Sequence, residues 1–455
     1  MAYKSALEVP SSGNPWIDGL TDGYRWGTTT QDSVIGFTFV TDTRGRPSGQ
    51  FAGYPSWGWS DLERAQMHEA MDAISSVCRL EFYERGDDND DNVELWFYSM
   101  DRRSAENNYG FAYTPGSDPD EGLVAINWST YRRPDGTFKA SIESGSFYGI
   151  TFLHELSHAV GLKHPHDLGL MGQPRFPGLT PRSDEFRDQG EFGQNAHPFT
   201  QLSYVDKGAD HGLVPDSELD YGFLQTPGAL DIAALQWMYG VNGQQSLGDD
   251  VYRLPLTNDL GTGWISVWDA GGNDRITAIG ASIPVTIDLR NASLGQDSAA
   301  GGYISRAQDV LGGFTIAHDW DGFNLTRPAG LCVIEMAIGG NASDRLIGNA
   351  AANRLKGKKG DDVLFAGSGG GNVVTGGKGK DFFWINGEAG SFVDVTDFNP
   401  RKDRLVFDLD SASVSFVTTT QETQLMVDGI AVAHLQDVTR FSLSRHVLFQ
   451  EFTGL

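Results

Sequence analysis

The chain has 455 residues, 60 acidic and 34 basic, for a formal charge of −26. That sign argues against nucleic acid and anionic membrane surfaces as partners, and it raises the question of which cations offset it. Hydrophobic residues at 39 % and aromatics at 11 % suffice for packed cores, whereas 57 glycines, well above the usual ~7 %, must be concentrated somewhere. Cys78 and Cys332, both among apolar neighbours, exclude a disulfide framework and read as buried thiols. Met1-Ala2-Tyr3-Lys4-Ser5 opens no apolar signal-peptide core, and no apolar run reaches the ~18 residues of a membrane span, so no membrane insertion is expected.

In chain order, residues 1–243 read as mixed α and β. Ser60-Asp61-Leu62-Glu63 is a capping-box pattern ahead of Met67, Ala70, Met71, Ile74 and Val77 at helical spacing. Asp87-Asp88-Asn89-Asp90-Asp91 reads as a solvated acidic turn, with a weak calcium site as the alternative. Val93, Leu95 and Phe97 alternate as in a half-buried strand, and Tyr109-Gly110-Phe111-Ala112-Tyr113 predicts another strand before the turn at 115–119. A helix is predicted from Phe147 to about Val160, with Ile150, Leu153, Leu156 and Val160 as its apolar face, and a second from about Leu230 to Tyr239. After Gly240 helical periodicity gives way to Gly, Asn and Asp with short β-prone runs, which places a domain boundary near residue 244.

His154-Glu155-Leu156-Ser157-His158-Ala159-Val160-Gly161-Leu162-Lys163-His164 matches H-E-x-x-H-x-x-G-x-x-H at every defined position. His154 and His158 lie one helical turn apart, so both imidazoles can bind one zinc ion. Gly161 can take the positive φ that ends the helix and turns the chain back, which lets His164 supply a third nitrogen. Three nitrogens leave a position open for water, and Glu155, beside the metal rather than on it, is the candidate general base.

This extended signature is that of the metzincin metalloproteases, and Pro165 after the third histidine resembles the serralysin branch. Phe199-Thr200-Gln201-Leu202-Ser203-Tyr204 is similar to the Met-turn of that family, with Leu202 in the methionine position. Leucine is close in volume and apolar, so the site is expected to survive the exchange. By the resemblance Tyr204 is a zinc ligand in the resting enzyme and an oxyanion donor when substrate binds, and Tyr109, Gly110, Phe111, Ala112 and Tyr113 form the edge strand to which substrate adds as a further strand. The segment from His164 to Tyr204 is about ten residues longer than in the family and reads as a surface loop near the cleft; within it His166 is expected to face solvent.

From Gly339 the sequence repeats with a period near nine: Gly339–Ile347, Gly348–Lys356 and Gly357–Phe365, then, after an inserted Ala366, Gly367–Thr375 and Gly376–Trp384. This is a degenerate form of the calcium-binding β-roll repeat, in which glycines permit a turn, an Asp at the sixth position offers oxygen and an apolar eighth position fills a core. Asp344, Asp362 and Asp381 keep the carboxylate, while Asn353 and Asn372 have lost it. Repeats one and three are therefore expected to form the best site and repeats two and four a weak one, and the Ala366 insertion is expected to shift Asp381 out of register with Asp362. Lys356, Lys358, Lys359, Lys378 and Lys380 bring positive charge that could replace calcium in part.

Ahead of the repeats, Val267-Trp268-Asp269-Ala270-Gly271-Gly272-Asn273-Asp274 resembles a serralysin calcium loop, though the segment that completes the Asp269 site in the family is altered here, around 252–263. The resemblance implies calcium contacts at Asp269, Gly271, Gly272, Asp274, Glu335, Gly339, Asn341, Asp344, Gly357, Lys359, Asp362, Asp381, Asp397 and Asp403.

The expected fold class is α+β: an N-terminal metzincin-type zinc protease domain (1–243) with a twisted mixed β-sheet and an active-site helix, then an all-β C-terminal parallel β-roll and secretion domain (244–455). What the resemblance implies is a secreted, extracellular endopeptidase with one catalytic Zn²⁺ and several structural Ca²⁺, exported as a monomer by a type I secretion apparatus without an N-terminal signal. Its partners would be protein or peptide substrates and a proteinaceous inhibitor. The alternative, resting on Leu202, is a catalytically impaired pseudoprotease or calcium-dependent binding protein on the same fold.

Overall fold

The computed structural model describes residues 5–27, 33–41, 56–85, 93–105, 107–205, 220–318, 332–388, 390–407 and 414–450; the acidic segment 87–91 lies outside them. β1 (Ser5–Glu8) and β2 (Tyr24–Gly27) pair antiparallel, with α1 (Pro15–Asp18) between them. β3 (Ser33–Phe39), β4 (Leu80–Glu84), β5 (Leu95–Met100), β6 (Gly110–Ala112) and β7 (Leu123–Asn127) form one sheet in the order β4-β3-β5-β7-β6. Its strands are parallel except β6, which lies antiparallel at the edge. β5 is not half-buried. Leu95 and Phe97 join the main core, while Trp96, Tyr98 and Met100 join a second cluster on the opposite face with Leu123 and Ala125. Alternation along a strand marks polarity only where one face meets water, and here both faces are covered.

α2 (Asp61–Val77) begins at the predicted capping box: the Ser60 hydroxyl accepts from the Glu63 amide at 3.3 Å, and Glu63 accepts from the Ser60 amide at 2.7 Å. α3 (Phe147–Ala159) is capped by Ser146 and carries Ile150, Leu153 and Leu156 into the core. α4 (Ala229–Tyr239) ends at Gly240, φ +78°. Both match the predicted bounds within about a residue. Gly161 adopts φ +108°, where a Cβ would collide with the Tyr24 carbonyl, so glycine is required for the close turn after α3. The Trp26 indole donates to the Ala159 carbonyl at 2.7 Å and the Tyr239 hydroxyl to the Val160 carbonyl at 2.6 Å, which ties the end of α3 to β2 and α4. No described helix is long and apolar enough to cross a membrane.

The second half is built from short strands: β8 (Val251–Arg253), β9 (Trp264–Val267), β10 (Arg275–Thr277), β11 (Val285–Asp288), β12 (Arg306–Ala307), β13 (Gly313–Ile316) and β14 (Met336–Ile338) lead into the repeats. There β15 (Arg345–Ile347), β16 (Arg354–Lys359), β17 (Val363–Phe365), β18 (Asn372–Lys378), β19 (Phe382–Ile385), β20 (Val393–Val395) and β21 (Arg404–Phe407) alternate between two parallel ladders. One runs β8-β10-β14-β16-β18-β20 and the other β11-β15-β17-β19-β21. Ala337, Leu355 and Val374 align in the first, Leu346, Leu364 and Phe383 in the second, and all six are buried.

The register corrects one expectation. Val363 pairs with Phe382, and the Asp362 amide donates to Asp381 Oδ1 at 3.0 Å, so Asp381 stays in line with Asp362. The extra residue is absorbed between β17 and β18, and both ladders advance together. A slip by one residue would have turned every apolar side chain out of the core, whereas an enlarged turn leaves them all in place.

Candidate metal centre

α3 presents His154 and His158 from one face, and the Gly161 turn returns His164 to meet them. Their Nε2 atoms form a triangle with sides of 2.9, 3.1 and 3.2 Å. Three nitrogens so spaced could share one ion at the Zn–N distance of about 2.0–2.1 Å and leave a position open. The opposite nitrogens are each held by an oxygen. His154 Nδ1 meets the Gln201 carbonyl at 2.9 Å, His158 Nδ1 the Leu162 carbonyl at 2.8 Å, and His164 Nδ1 an Asp167 carboxylate oxygen at 2.9 Å. A carbonyl or carboxylate can only accept, so the Nδ1 atoms carry the protons and three bare Nε2 lone pairs face one another. Burial and mutual repulsion hold all three imidazoles neutral, His154 at about 4 and the others well below their ordinary range. The donor set therefore fits a zinc ion.

The turn at 199–204 owes its place to contacts from α4. Asp231, at the start of α4, accepts from the Thr200 hydroxyl at 2.6 Å and from the Gln201 and Gly228 amides at 2.8 and 2.9 Å. Asp231 thus fixes the turn whose Gln201 carbonyl orients His154. Leu202, in the same turn, is fully buried in the main core. Sequence reasoning missed Asp167, Gln201 and Asp231; only Asp231 left a trace, as an acidic residue in the first turn of a predicted helix.

The three histidines, Glu155 and Gln201 wall a cleft of about 570 Å³ that is also lined by Tyr109, Gly110, Phe111 and Ala112 and by His197, Ser203, Tyr204 and Phe223. Tyr113 lies off the cleft, packed with Phe111 against the second cluster. Glu155 is buried, and burial pushes its carboxyl up to about 8. A Cβ at Gly110 would stand 2.7 Å from Glu155 Cγ, so β6 passes this close only as glycine. The Tyr204 ring packs 4.5 Å from His164 and 5.7 Å from His154, and burial raises its phenol above the ordinary range. His166 does not face solvent: its ring lies parallel to His164 at 4.9 Å, and its Nε2 is 3.4 Å from Glu185. The His164–Tyr204 segment is also more than a surface loop, since Phe176 is fully buried against Trp16.

The acidic residues of the second half fall into two columns at the strand starts. Along one ladder, Asp344, Asp362, Asp381 and Asp403 stack, each Oδ1 accepting the amide of the residue one layer before: Val285 to Asp344, Asp344 to Asp362, Asp362 to Asp381 and Asp381 to Asp403, at 2.9–3.1 Å. Gly339 and Gly357 pack against the carboxylates of Asp344 and Asp362, where a Cβ would collide. Asp397 is brought to the same edge and accepts from the Gly376 and Gly377 amides at 2.9 and 2.8 Å. Asn341 only donates its amide to Ala281, and Lys356, Lys358, Lys359, Lys378 and Lys380 are exposed.

Along the other ladder stand Asp250, Asp274, Glu335, Asn353 and Asn372. Asp250, Asp269 and Asp274 offer oxygens within 4.8 Å of one another, and Glu335 accepts the Asp274 amide at 2.8 Å. Gly271 donates its amide to Asp269, Gly272 packs against Asp274, and the Tyr252 hydroxyl binds Asp269 at 2.7 Å. Asp250 was missed, although Gly248-Asp249-Asp250-Val251 repeats the quartet Gly360-Asp361-Asp362-Val363. At the neutral positions the Asn353 amide donates to the Asn349 and Ala351 carbonyls at 3.1 and 2.7 Å and takes up acceptors a cation would use. Asp274 Oδ2 and Asp362 Oδ2 are buried without a hydrogen-bond partner, and desolvation with neighbouring carboxylates pushes both groups up to about 7. Crowded, buried oxygens of this kind fit a hard cation such as Ca²⁺.

Residues 338–373 match the RTX calcium-binding nonapeptide repeat family (4 copies). The chain is 28 % identical over 357 residues to Metalloprotease AprA of Pseudomonas entomophila, covering 74 % of this chain and 64 % of that protein. It is 26 % identical over 347 residues to Serralysin of Photorhabdus laumondii, covering 73 % and 63 %, and 28 % identical over 317 residues to Serralysin G of Dickeya chrysanthemi, covering 67 % and 57 %. The chain therefore spans less than two thirds of the length of these relatives. Among solved structures, the extracellular lipase LipA of Serratia marcescens aligns over 44 % of this chain and 38 % of that one at 18 % identity, with a TM-score of 0.15.

Proposed function

We propose, from the relationship of this chain to the serralysin metalloproteases, that it is a zinc-dependent endopeptidase in which a C-terminal parallel β-roll, beginning near residue 244, binds calcium. The observation that carries the reading is the convergence of three Nε2 lone pairs beside a buried glutamate at the wall of a cleft. His154, His158 and His164 would hold the zinc. Bound there, zinc supplies Lewis acidity, lowering the pKa of a coordinated water to about 7 and polarising a carbonyl.

The remaining steps belong to the chain. β6 is the edge of its sheet, so an extended peptide can add to it through backbone hydrogen bonds with its scissile carbonyl over the histidines. Glu155, buried at the wall of the cleft, takes the proton of the attacking water and returns it to the leaving amine. Tyr204, protonated and beside His164, donates to the oxygen on which negative charge develops. Protein or peptide substrates, export by a type I apparatus to an extracellular setting and calcium in the two carboxylate columns complete the proposal. The impaired-protease alternative rests on Leu202, which fills its place in the core, so no feature of the site favours it.

Glu155→Gln is the test. Casein hydrolysis is expected to fall by about 10²–10⁴-fold with one zinc still bound. A variant with near wild-type activity would remove Glu155 from the mechanism.

A further inference from the structure

We propose that Phe186 is a specificity-determining residue of the cleft: its ring is the wall of a subsite that takes a large apolar side chain of the bound peptide, close to the scissile bond. Phe186 comes from the long His164–Tyr204 segment and lines the cleft together with the three histidines. Its ring lies nearly parallel to that of Tyr204, at 5.7 Å and 14°, and Tyr204 in turn packs 4.5 Å from His164. The Phe186 ring therefore stands one aromatic layer away from the three-histidine centre. Although it packs on Tyr204, Phe186 is still 50 % exposed. A ring left half in water at a cleft wall gains by being covered, and it gains most from an apolar partner.

A single exposed phenylalanine needs no function; this one differs because its turn is held in place. Asp184 accepts the Phe186 amide at 3.0 Å, Asp188 accepts the Asp184 amide at 2.8 Å, and the Asp188 amide donates to the Asp184 carbonyl at 2.9 Å. The buried Asn195 clamps the turn by donating to the Asp188 carbonyl at 2.6 Å, and the Asn195 carbonyl accepts the Ser203 hydroxyl at 3.0 Å. Phe186 and Tyr204 thus hang on one scaffold. The ring is in place before a peptide arrives, so little conformational freedom is lost on binding.

The chemistry of the selected side chain follows from what surrounds the ring. Asp184 and Asp188 are engaged with amides of the turn and Glu185 faces His166, so the carboxylates beside Phe186 are not offered to a cationic side chain. Phe111, Ile150 and Phe223 line the same cleft. An aromatic or long aliphatic side chain laid on Phe186 takes apolar surface of both partners out of water, whereas a charged one would lose hydration without a counterpart. The proposal rests on the protease reading above, since it concerns which peptides that site takes.

The test digests a peptide library with the zinc- and calcium-loaded full chain and reads the cleavage sites by mass spectrometry. One position near the cut is expected to be enriched in Phe, Tyr, Leu and Met. For two peptides that differ only there, Phe against Ala, the ratio of their kcat/KM values is expected to fall about tenfold in Phe186→Ala and by less than about threefold in Phe186→Leu. An unchanged ratio in Phe186→Ala, an equal loss on both peptides, or enrichment in Arg or Lys instead would overturn the proposal; equal losses would make Phe186 a support for Tyr204 alone. If the wild type cuts no peptide, the protease reading fails and the subsite is read by calorimetry. The ratio of Kd values for a Phe peptide and its Ala counterpart should then show the same tenfold loss in Phe186→Ala, and its absence overturns the subsite as well.

Discussion

At position 110 a single carbon decides whether the edge strand can share space with Glu155, the proposed general base. A Cβ there would stand 2.7 and 2.9 Å from Glu155 Cγ and Oε1 and 3.0 Å from the Ala125 carbonyl, and of these only the glutamate can move. Gly110→Ala is therefore expected to displace Glu155 rather than unfold the sheet. Misplacement of about 1 Å at a reacting group costs about 10²-fold in rate. The expected result is kcat/KM down by about that factor, with zinc content unchanged and the melting temperature little altered; wild-type kcat/KM in the alanine variant would show that the strand gives way instead. Leu202 makes the opposite case. It is fully buried and close in volume to methionine, so Leu202→Met should change stability by less than about 1.5 kcal/mol in urea unfolding and leave zinc affinity within a few-fold.

Between elements, the link that matters runs from α4 through Asp231 to the turn at 199–204. Removing the carboxylate by Asp231→Ala strands the buried Gln201 and Gly228 amides, a loss of about 1–3 kcal/mol each. It also frees the Gln201 carbonyl that orients His154, and loss of such a partner costs about 10–100-fold in metal affinity. Asp231→Asn can keep its oxygen on the two amides and turn its NH₂ to the Thr200 hydroxyl, so it should lose far less on both counts. Chelator competition and denaturant unfolding of the two variants check this; equal losses would mean the charge, not the hydrogen bonds, is what counts. The same comparison explains what the sequence could reveal. α3 and its histidines were legible because helical spacing alone puts positions four apart on one face. Asp231 and Gln201, and likewise Glu185 and His166, meet only because loops return from 19 or more residues away, and no local pattern encodes that. The Asp381 register was misread for the same reason: a nine-residue count sees the insertion but not the cost of slipping a buried ladder. Asp250, by contrast, is legible in the sequence, because its quartet repeats the one around Asp362.

For the whole molecule, the charge of −26 matters most where carboxylates are stacked and buried. Desolvation with neighbouring carboxylates pushes Asp274 and Asp362 up to about 7 and Asp381 to about 6, above the ordinary ~3.9 of an exposed aspartate. Without calcium the folded state thus binds more protons than the unfolded chain between about pH 4 and 7, and these groups make stability fall as pH rises through that window. The buried histidines, held neutral when folded, act in the opposite direction below about pH 6.5, so a single pH profile would mix the two. The difference between melting temperatures with and without calcium cancels the histidines. Because calcium must displace protons from the columns, that difference should grow from pH 5.5 to 8, and proton release on calcium binding should be measurable by calorimetry in buffers of different ionisation enthalpy. A calcium increment that is flat or shrinks over this range would mean the columns are not where calcium acts. The effect should reach catalysis as well. The Gln194 side chain accepts the Gly301 amide at 2.7 Å and donates to the Ser298 carbonyl at 3.1 Å, and Phe199 packs against Gly301, so the wall that leads into the turn at 199–204 leans on the half proposed to bind calcium. Activity lost on calcium chelation should therefore return with calcium alone, without added zinc, if the wall loosens before the three histidines release their ion.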